Sequence, residues 1–171
     1  MTRPGPCKDD QIFEIRIDRK IDSWSGSLEL GVTTSDPMEL AASSGHEFPS
    51  SANELNQGSS WIMSGNTVRQ DGKSVHENYG DLDLDQVKEQ DRVGVVRTSQ
   101  GDLVFFINGV SQSVAASGIP SKVWAVVDLY GKCAGVTLTN TGNSDQDRRI
   151  LDKKATNEAT AGLVTDNCFQ R

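Results

Sequence analysis

The chain of 171 residues lacks a long apolar run and an excess of basic charge. No segment approaches the roughly 20 apolar residues that a membrane-spanning helix needs. The first six residues contain no apolar stretch of the kind found in a secretory signal. The net charge of −7 argues against a broad phosphate-binding face. We therefore expect no membrane and no nucleic acid among the partners.

Metal-ligating side chains are few and scattered. The three cysteines, Cys7, Cys133 and Cys168, form no C-x-x-C pair, and neither His46 nor His76 clusters with them. Structural zinc sites use about four such ligands at short spacings. The sequence therefore predicts no metal site and no cofactor, and reduced thiols in a cytoplasmic protein.

Common catalytic motifs are also missing. The sequence contains neither G-x-S-x-G nor a glycine-rich phosphate-binding loop, and its two His-Glu pairs lack the second histidine of H-E-x-x-H. We therefore expect no enzymatic activity. A carboxylate pair for glycoside hydrolysis stays open, because only its separation in space would identify it.

Three alternating carboxylates, Asp81, Asp83 and Asp85, have the residue type that calcium prefers. An EF-hand loop starting at Asp81 would need glycine and glutamate at positions that hold Gln86 and Arg92. We interpret the three carboxylates as a solvated edge.

Alternation of apolar and polar residues predicts an all-β fold. The predicted strands cover residues 12–17, 27–34, 61–63, 67–69, 93–98, 103–107, 123–129 and 134–139, while 82–89 is the one helix candidate. Asn108-Gly109 between two strands predicts a type I′ hairpin turn. Short strands separated by turn signals are typical of an antiparallel β-sandwich. Its predicted large core residues are Phe13, Trp24, Phe105, Trp124 and Tyr130.

The remaining segments are polar. We predict a disordered leader over residues 1–11, a domain over 12–140 and a linker or tail over 141–171. Residues 35–60 are polar and serine-rich and are predicted to form a long loop, and loops of that length are usually functional or disordered.

Five ordered blocks resemble the Neuralized homology repeat (NHR), a β-sandwich domain related to the SPRY and concanavalin-like folds. They read FEIRID at 13–18 with WSGSL at 24–28, WIMSG at 61–65, NYG at 78–80, DRVGV at 91–95 through FFING at 105–109, and VVDLYGKC at 126–133. A complete repeat has an opening β segment upstream of the first block, so the resemblance implies a domain incomplete at its N-terminus. Gln90 departs from the pattern, because a glycine often stands there.

The resemblance implies mainly structural roles for the matched residues. Trp24 would cap one end of the sandwich, Ser25-Gly26 would reverse the chain, and Asn108-Gly109 would form the hairpin turn. Asp128 lies inside an apolar strand, where a buried carboxylate needs partners unless it points to solvent or ends the strand. The remaining structural motif residues are Tyr130 and Gly131.

Domains of this family bind other proteins in substrate or partner recognition linked to ubiquitin ligation. The resemblance implies a cytoplasmic adaptor for a ubiquitin ligase, its substrate or a centriolar or cytoskeletal protein. Neighbouring repeats of the same family are further candidate partners. The chain has too few cysteines for a RING domain of its own. The candidate partner-binding residues lie in loops and are His46, Glu47, Phe48 and Tyr79.

Phe48 is the most distinctive of the candidates, because aromatic residues often anchor interfaces. The alternative is that its ring folds back onto the domain. Two other functions stay open. One is lectin-like glycan binding, and the other is self-association through strand edges left unpaired by a missing opening segment.

Overall fold

A computed structural model describes residues 5–21, 25–43, 49–55, 57–81, 83–139 and 169–170. Within these residues the chain forms eleven strands, one α-helix and two short 3₁₀ helices. No helix in this part of the chain is long and apolar enough to cross a membrane. The strands are β1 Phe13–Lys20, β2 Leu28–Thr33, β3 Ser60–Ser64, β4 Thr67–Gln70, β5 Lys73–His76, β6 Arg92–Arg97, β7 Leu103–Ile107, β8 Val110–Ala116, β9 Trp124–Leu129, β10 Cys133–Leu138 and β11 Phe169–Gln170, and the helix is α1 Pro37–Ser43.

The strands form two sheets, which we call sheet A and sheet B. Sheet A has the order β10-β1-β6-β7-β8, and sheet B has the order β11-β9-β2-β3-β4-β5. Every neighbouring pair is antiparallel except β11, which runs parallel to β9. The predicted antiparallel β-sandwich is confirmed. Apart from β11, the predicted linker over 141–171 lies outside the described residues.

The core lies between the two sheets and uses alternate residues of each strand. Ile15, Leu30 and Phe105 are fully or almost fully buried in one cluster that both sheets share. Burial of apolar surface of this kind stabilises the fold by roughly 25 cal/mol per Å². Phe13 and Trp124 are buried as predicted. Tyr130, predicted to be a core residue, is 36% exposed, and Trp24 lies outside the described residues.

The β7–β8 hairpin has the predicted turn. Asn108 and Gly109 have φ angles of 50° and 78°, as a type I′ turn requires. The Asn108 side chain accepts a hydrogen bond from the Arg92 backbone N–H at 2.8 Å and donates one to Asp91 at 3.0 Å. The side chain thus ties the turn to the residues at the start of β6.

Residues 5–11 are not the disordered leader that the sequence predicts. The Cys7 N–H donates to the Val123 carbonyl at 2.6 Å, and the Asp10 N–H donates to the Arg97 carbonyl at 2.8 Å. Asp9 forms an ion pair of 2.5 Å with the nearly buried Arg97 guanidinium. Hydrogen bonds to strand ends therefore make this segment part of the domain.

Residues 35–60, predicted as one long loop, contain regular structure. Helix α1 follows Asp36, whose side chain accepts a hydrogen bond from the Met38 N–H at 2.9 Å. A 3₁₀ helix spans Ala52–Glu54, with Ser51 as its N-cap. The helix candidate at 82–89 is reduced to a 3₁₀ helix over Leu84–Gln86.

Candidate functional site

The outer face of sheet B is covered by the second part of the 35–60 segment. Ala52 packs on Ile62 of β3 and Val126 of β9, with the partly buried Leu55 against the same cluster. These strand residues alternate with inward-facing neighbours, so they point away from the main core. The segment therefore buries apolar surface that would otherwise face solvent.

Two buried carboxylates on sheet B accept hydrogen bonds from residues 51–53 and hold the segment in place. Glu29 and Asp128 are register partners on β2 and β9 and are 6% and 7% exposed. Glu29 accepts hydrogen bonds from the Ser51 hydroxyl at 2.8 Å and the Asn53 side-chain amide at 2.5 Å. Asp128 accepts one from the Ala52 N–H at 2.9 Å. The structure thus gives Asp128 the partner that a buried carboxylate requires.

We call residues 51–53, with Glu29 and Asp128, the loop clamp. Sequence reasoning singled out Asp128 but missed Glu29, although both are charged residues within apolar strands. The available signal for Glu29 was its position between two leucines inside a predicted strand. Its loop partners could not be inferred, because they lie 22 and 24 residues away along the chain.

The predicted contact residues His46, Glu47 and Phe48 lie outside the described residues. The chain on either side of them is anchored to the domain. On one side Leu40 of α1 is buried, and on the other Ser51 belongs to the loop clamp. The three residues therefore connect two elements that are held in place.

Tyr79, the fourth predicted contact residue, is fully buried in the core. Its hydroxyl donates a hydrogen bond to the Ser113 carbonyl at 2.6 Å and accepts one from the Phe105 N–H at 3.2 Å. Burial raises the pKa of the Tyr79 hydroxyl above its ordinary value. The prediction of a partner-binding role was wrong, because the ring is buried between the two sheets, next to their edge strands β5 and β8.

Four predicted motif residues meet at the β9–β10 turn. Gly26 has a φ of 75°, and a Cβ atom there would overlap the Tyr130 ring. Gly131 has a φ of 58°, and a Cβ atom there would overlap the carbonyl groups of Ser25 and Gly26. Burial raises the pKa of the Tyr130 hydroxyl. Both glycines are thus required by close approach and by positive φ together.

The three alternating aspartates do not share a strand face. Asp81 is exposed, while Asp83 caps the second 3₁₀ helix by accepting a hydrogen bond from the Asp85 N–H at 2.8 Å. Burial and the neighbouring Asp83 charge raise the pKa of Asp85. Within the described ranges, no group of three or more His, Cys, Asp or Glu side chains is arranged to hold a metal ion.

Comparisons with known proteins agree with this fold. The sequence profile of the Neuralized family matches residues 3–140, including most of the segment predicted as a leader. The crystal structure of the Drosophila melanogaster neuralized-NHR1 domain is 21% identical with a TM-score of 0.56, over 80% of this chain and 76% of that one. The solution structure of the NEUZ (NHR) domain of Drosophila melanogaster Neuralized is also 21% identical. Its TM-score is 0.54, over 77% of this chain and 68% of that one.

Proposed function

Because the chain belongs to the Neuralized family, we propose that it is an adaptor that recruits partner proteins through residues 46–48. Domains of this family are protein-interaction modules rather than enzymes. The partners that fit the family resemblance are a ubiquitin ligase, a ligase substrate or a centriolar protein. We propose that the chain binds them in the cytoplasm. From the resemblance of the sequence blocks we further propose that the chain is a repeat like those of Neuralized-like protein 4 and that it works beside neighbouring repeats.

One observation supports this choice of contact surface. The segment around residues 46–48 is flanked by α1 and by the loop clamp, both attached to the sandwich. Rigid scaffolds that present loops of this kind commonly use them for recognition. Phe48 is an aromatic residue of the type that anchors interfaces, while His46 and Glu47 supply polar contacts beside it.

The test is quantitative affinity capture from cytosolic extract, with residues 1–171 and a Phe48→Ala variant as baits. A Met38→Ala variant is the matched control, since Met38 is an exposed apolar residue on α1. Circular dichroism checks that all three baits are folded. We expect Phe48→Ala to lower recovery of specific proteins by at least about tenfold, as for an interface anchor, while Met38→Ala leaves it unchanged.

Two results would count against the proposal. Equal recovery by the wild-type chain and Phe48→Ala would exclude Phe48 as an anchor. A joint loss of binding and of melting temperature in Phe48→Ala would identify Phe48 as a core residue instead.

A further inference from the structure

Strand β9 is paired differently along its two edges. On one edge all six of its residues pair with β2. On the other, which we call the β9 edge, Phe169 and Gln170 of β11 pair with Val126 and Val127. The edge of an apolar strand is a template for pairing with a further segment of chain. Within the described part of the chain, β11 is the segment that occupies this template.

The backbone groups of β9 alternate between the two edges, because neighbouring residues of a strand direct their N–H and C=O groups to opposite sides. The Tyr130 N–H donates to the Ser27 carbonyl at 3.3 Å, so Tyr130 faces β2. Counting back two residues at a time, Val126 also faces β2. Val127 therefore directs its N–H and C=O groups toward β11.

The register of β11 shows which of its backbone groups meet β9. In a parallel ladder, a residue that faces the neighbouring strand bonds to the residues on either side of its own partner. Phe169 is opposite Val126, so its N–H and C=O groups meet those of Ala125 and Val127. Gln170 is opposite Val127 and directs its N–H away from β9.

The contact of β11 with β9 is a weak one. Two residue pairs are few against the six that join β9 to β2, and the net stabilisation from each hydrogen bond is modest. The pairing is also parallel, which is the slightly less stable arrangement. The Neuralized profile ends at residue 140, so β11 lies outside the matched domain. It is an added strand that a competing segment can displace.

We propose that the β9 edge is a docking site for an extended peptide, which adds a parallel strand to sheet B, and that residues 169–170 occupy this site in the free chain. Main-chain hydrogen bonds carry recognition of this kind. A partner peptide gains the edge by displacing β11, so the chain limits access to its own site. The inference uses none of residues 46–48 and goes beyond the proposed function.

The test alters single backbone N–H groups of β11 in the full chain. Cys168 allows isotope-labelled residues 1–167 to be ligated to a synthetic peptide of residues 168–171. N-methylation of Phe169 removes the N–H that faces β9. N-methylation of Gln170 is the matched control, because that N–H faces away. Both modifications leave every side chain unchanged.

Amide hydrogen exchange, read by NMR, compares the ligated wild-type chain with the two N-methylated chains. We expect N-methylation of Phe169 to speed exchange at Val127 by about tenfold or more, because the edge is then open to water. Exchange at Val126, whose N–H bonds to β2, should stay the same. N-methylation of Gln170 should change neither amide.

A second experiment asks whether the β9 edge accepts a strand from another molecule. A peptide of residues 163–171 is added at about 1 mM, the order of the concentration at which tethered segments meet their sites. We expect it to slow exchange at Val127 in the chain N-methylated at Phe169. The same peptide with its own Phe169 N-methylated should have no effect.

Equal exchange at Val127 in all three chains would overturn the inference. Exchange at Val127 that slows as the concentration of the wild-type chain rises would also overturn it, because the strand would then come from a second copy. Faster exchange that the peptide does not reverse would make β11 a cover for the edge and reject the docking site. None of these results changes what Phe48→Ala captures, so the proposed function is tested separately.

Discussion

The Tyr79 hydroxyl donates a hydrogen bond to the Ser113 carbonyl at 2.6 Å and so links the β5–β6 connection to strand β8. Tyr79 lies in the chain that leaves sheet B, and Ser113 lies at the edge of sheet A. The ring also meets Phe105 edge-to-face, with a centroid distance of 5.8 Å. The Tyr79 side chain therefore connects the two sheets at their edge strands β5 and β8.

Tyr79→Phe should lower the free energy of unfolding by about 1–3 kcal/mol, because it leaves the Ser113 carbonyl and the Phe105 N–H without their partner. Urea denaturation measures the change. Tyr130→Phe is the control and should cost less, since Tyr130 is 36% exposed. Equal losses in the two variants would contradict the structural role assigned to Tyr79.

Gly26→Ala should destabilise the fold by about 2–4 kcal/mol, from positive φ together with overlap. The overlap at Gly26 is with the side chain of Tyr130, whereas the overlap at Gly131 is with backbone carbonyls. Tyr130→Ala should therefore restore part of the stability lost in Gly26→Ala and none of that lost in Gly131→Ala. Thermal unfolding of the two double variants checks this, and rescue of both would contradict it.

Asp85→Asn should stabilise the protein at neutral pH. The pKa of Asp85 is raised in the folded state, so the fold binds its proton more tightly than the unfolded chain does. Ionised Asp85 therefore costs stability above its raised pKa, and this cost disappears below the ordinary value of 3.8. Urea midpoints measured from pH 3 to pH 8 should show the advantage of Asp85→Asn growing as pH rises.

Asp18→Asn should have the opposite effect to Asp85→Asn and destabilise the protein at neutral pH. Hydrogen bonds from Thr137 and Arg16 lower the pKa of Asp18. The ionised carboxylate then favours the fold above pH 3.8, and this contribution is lost as pH falls through the lowered pKa. Parallel pH profiles for the two variants would contradict the assigned environments.

Deleting residues 1–11 should lower the free energy of unfolding by about 1–3 kcal/mol. The deletion removes the backbone hydrogen bonds of Cys7 and Asp10. It also leaves the nearly buried Arg97 without its ion-pair partner Asp9. Asp9→Asn alone should cost less, because the backbone bonds remain. A deletion variant as stable as the full chain would show that residues 5–11 add nothing to the domain.

The parts of the fold that depend on neighbouring residues could be predicted from the sequence. Asn108-Gly109 specifies its turn because two adjacent residues accept positive φ. Alternation along residues 13–17 likewise predicts β1 and its inward face. Such signals do not depend on the rest of the chain, and they were sufficient to predict the β-sandwich.

Features that depend on distant contacts could not be predicted. Ala52 and Asp128 are 76 residues apart, and Tyr79 and Ser113 are 34 apart. Polar composition suggested an open loop over 35–60, yet buried carboxylates on sheet B bind part of it. Tyr79 similarly stands in a polar, glycine-containing stretch, and only the meeting of the two sheets buries it.

The most direct test of the central claim is photo-crosslinking in cytosolic extract, with p-benzoyl-phenylalanine placed at residue 48. The control places it at Val114, which is 47% exposed on β8 of sheet A. We predict that residue 48 crosslinks the same proteins that Phe48→Ala fails to capture, and that residue 114 does not. Crosslinks to those proteins from residue 114 and none from residue 48 would contradict the account.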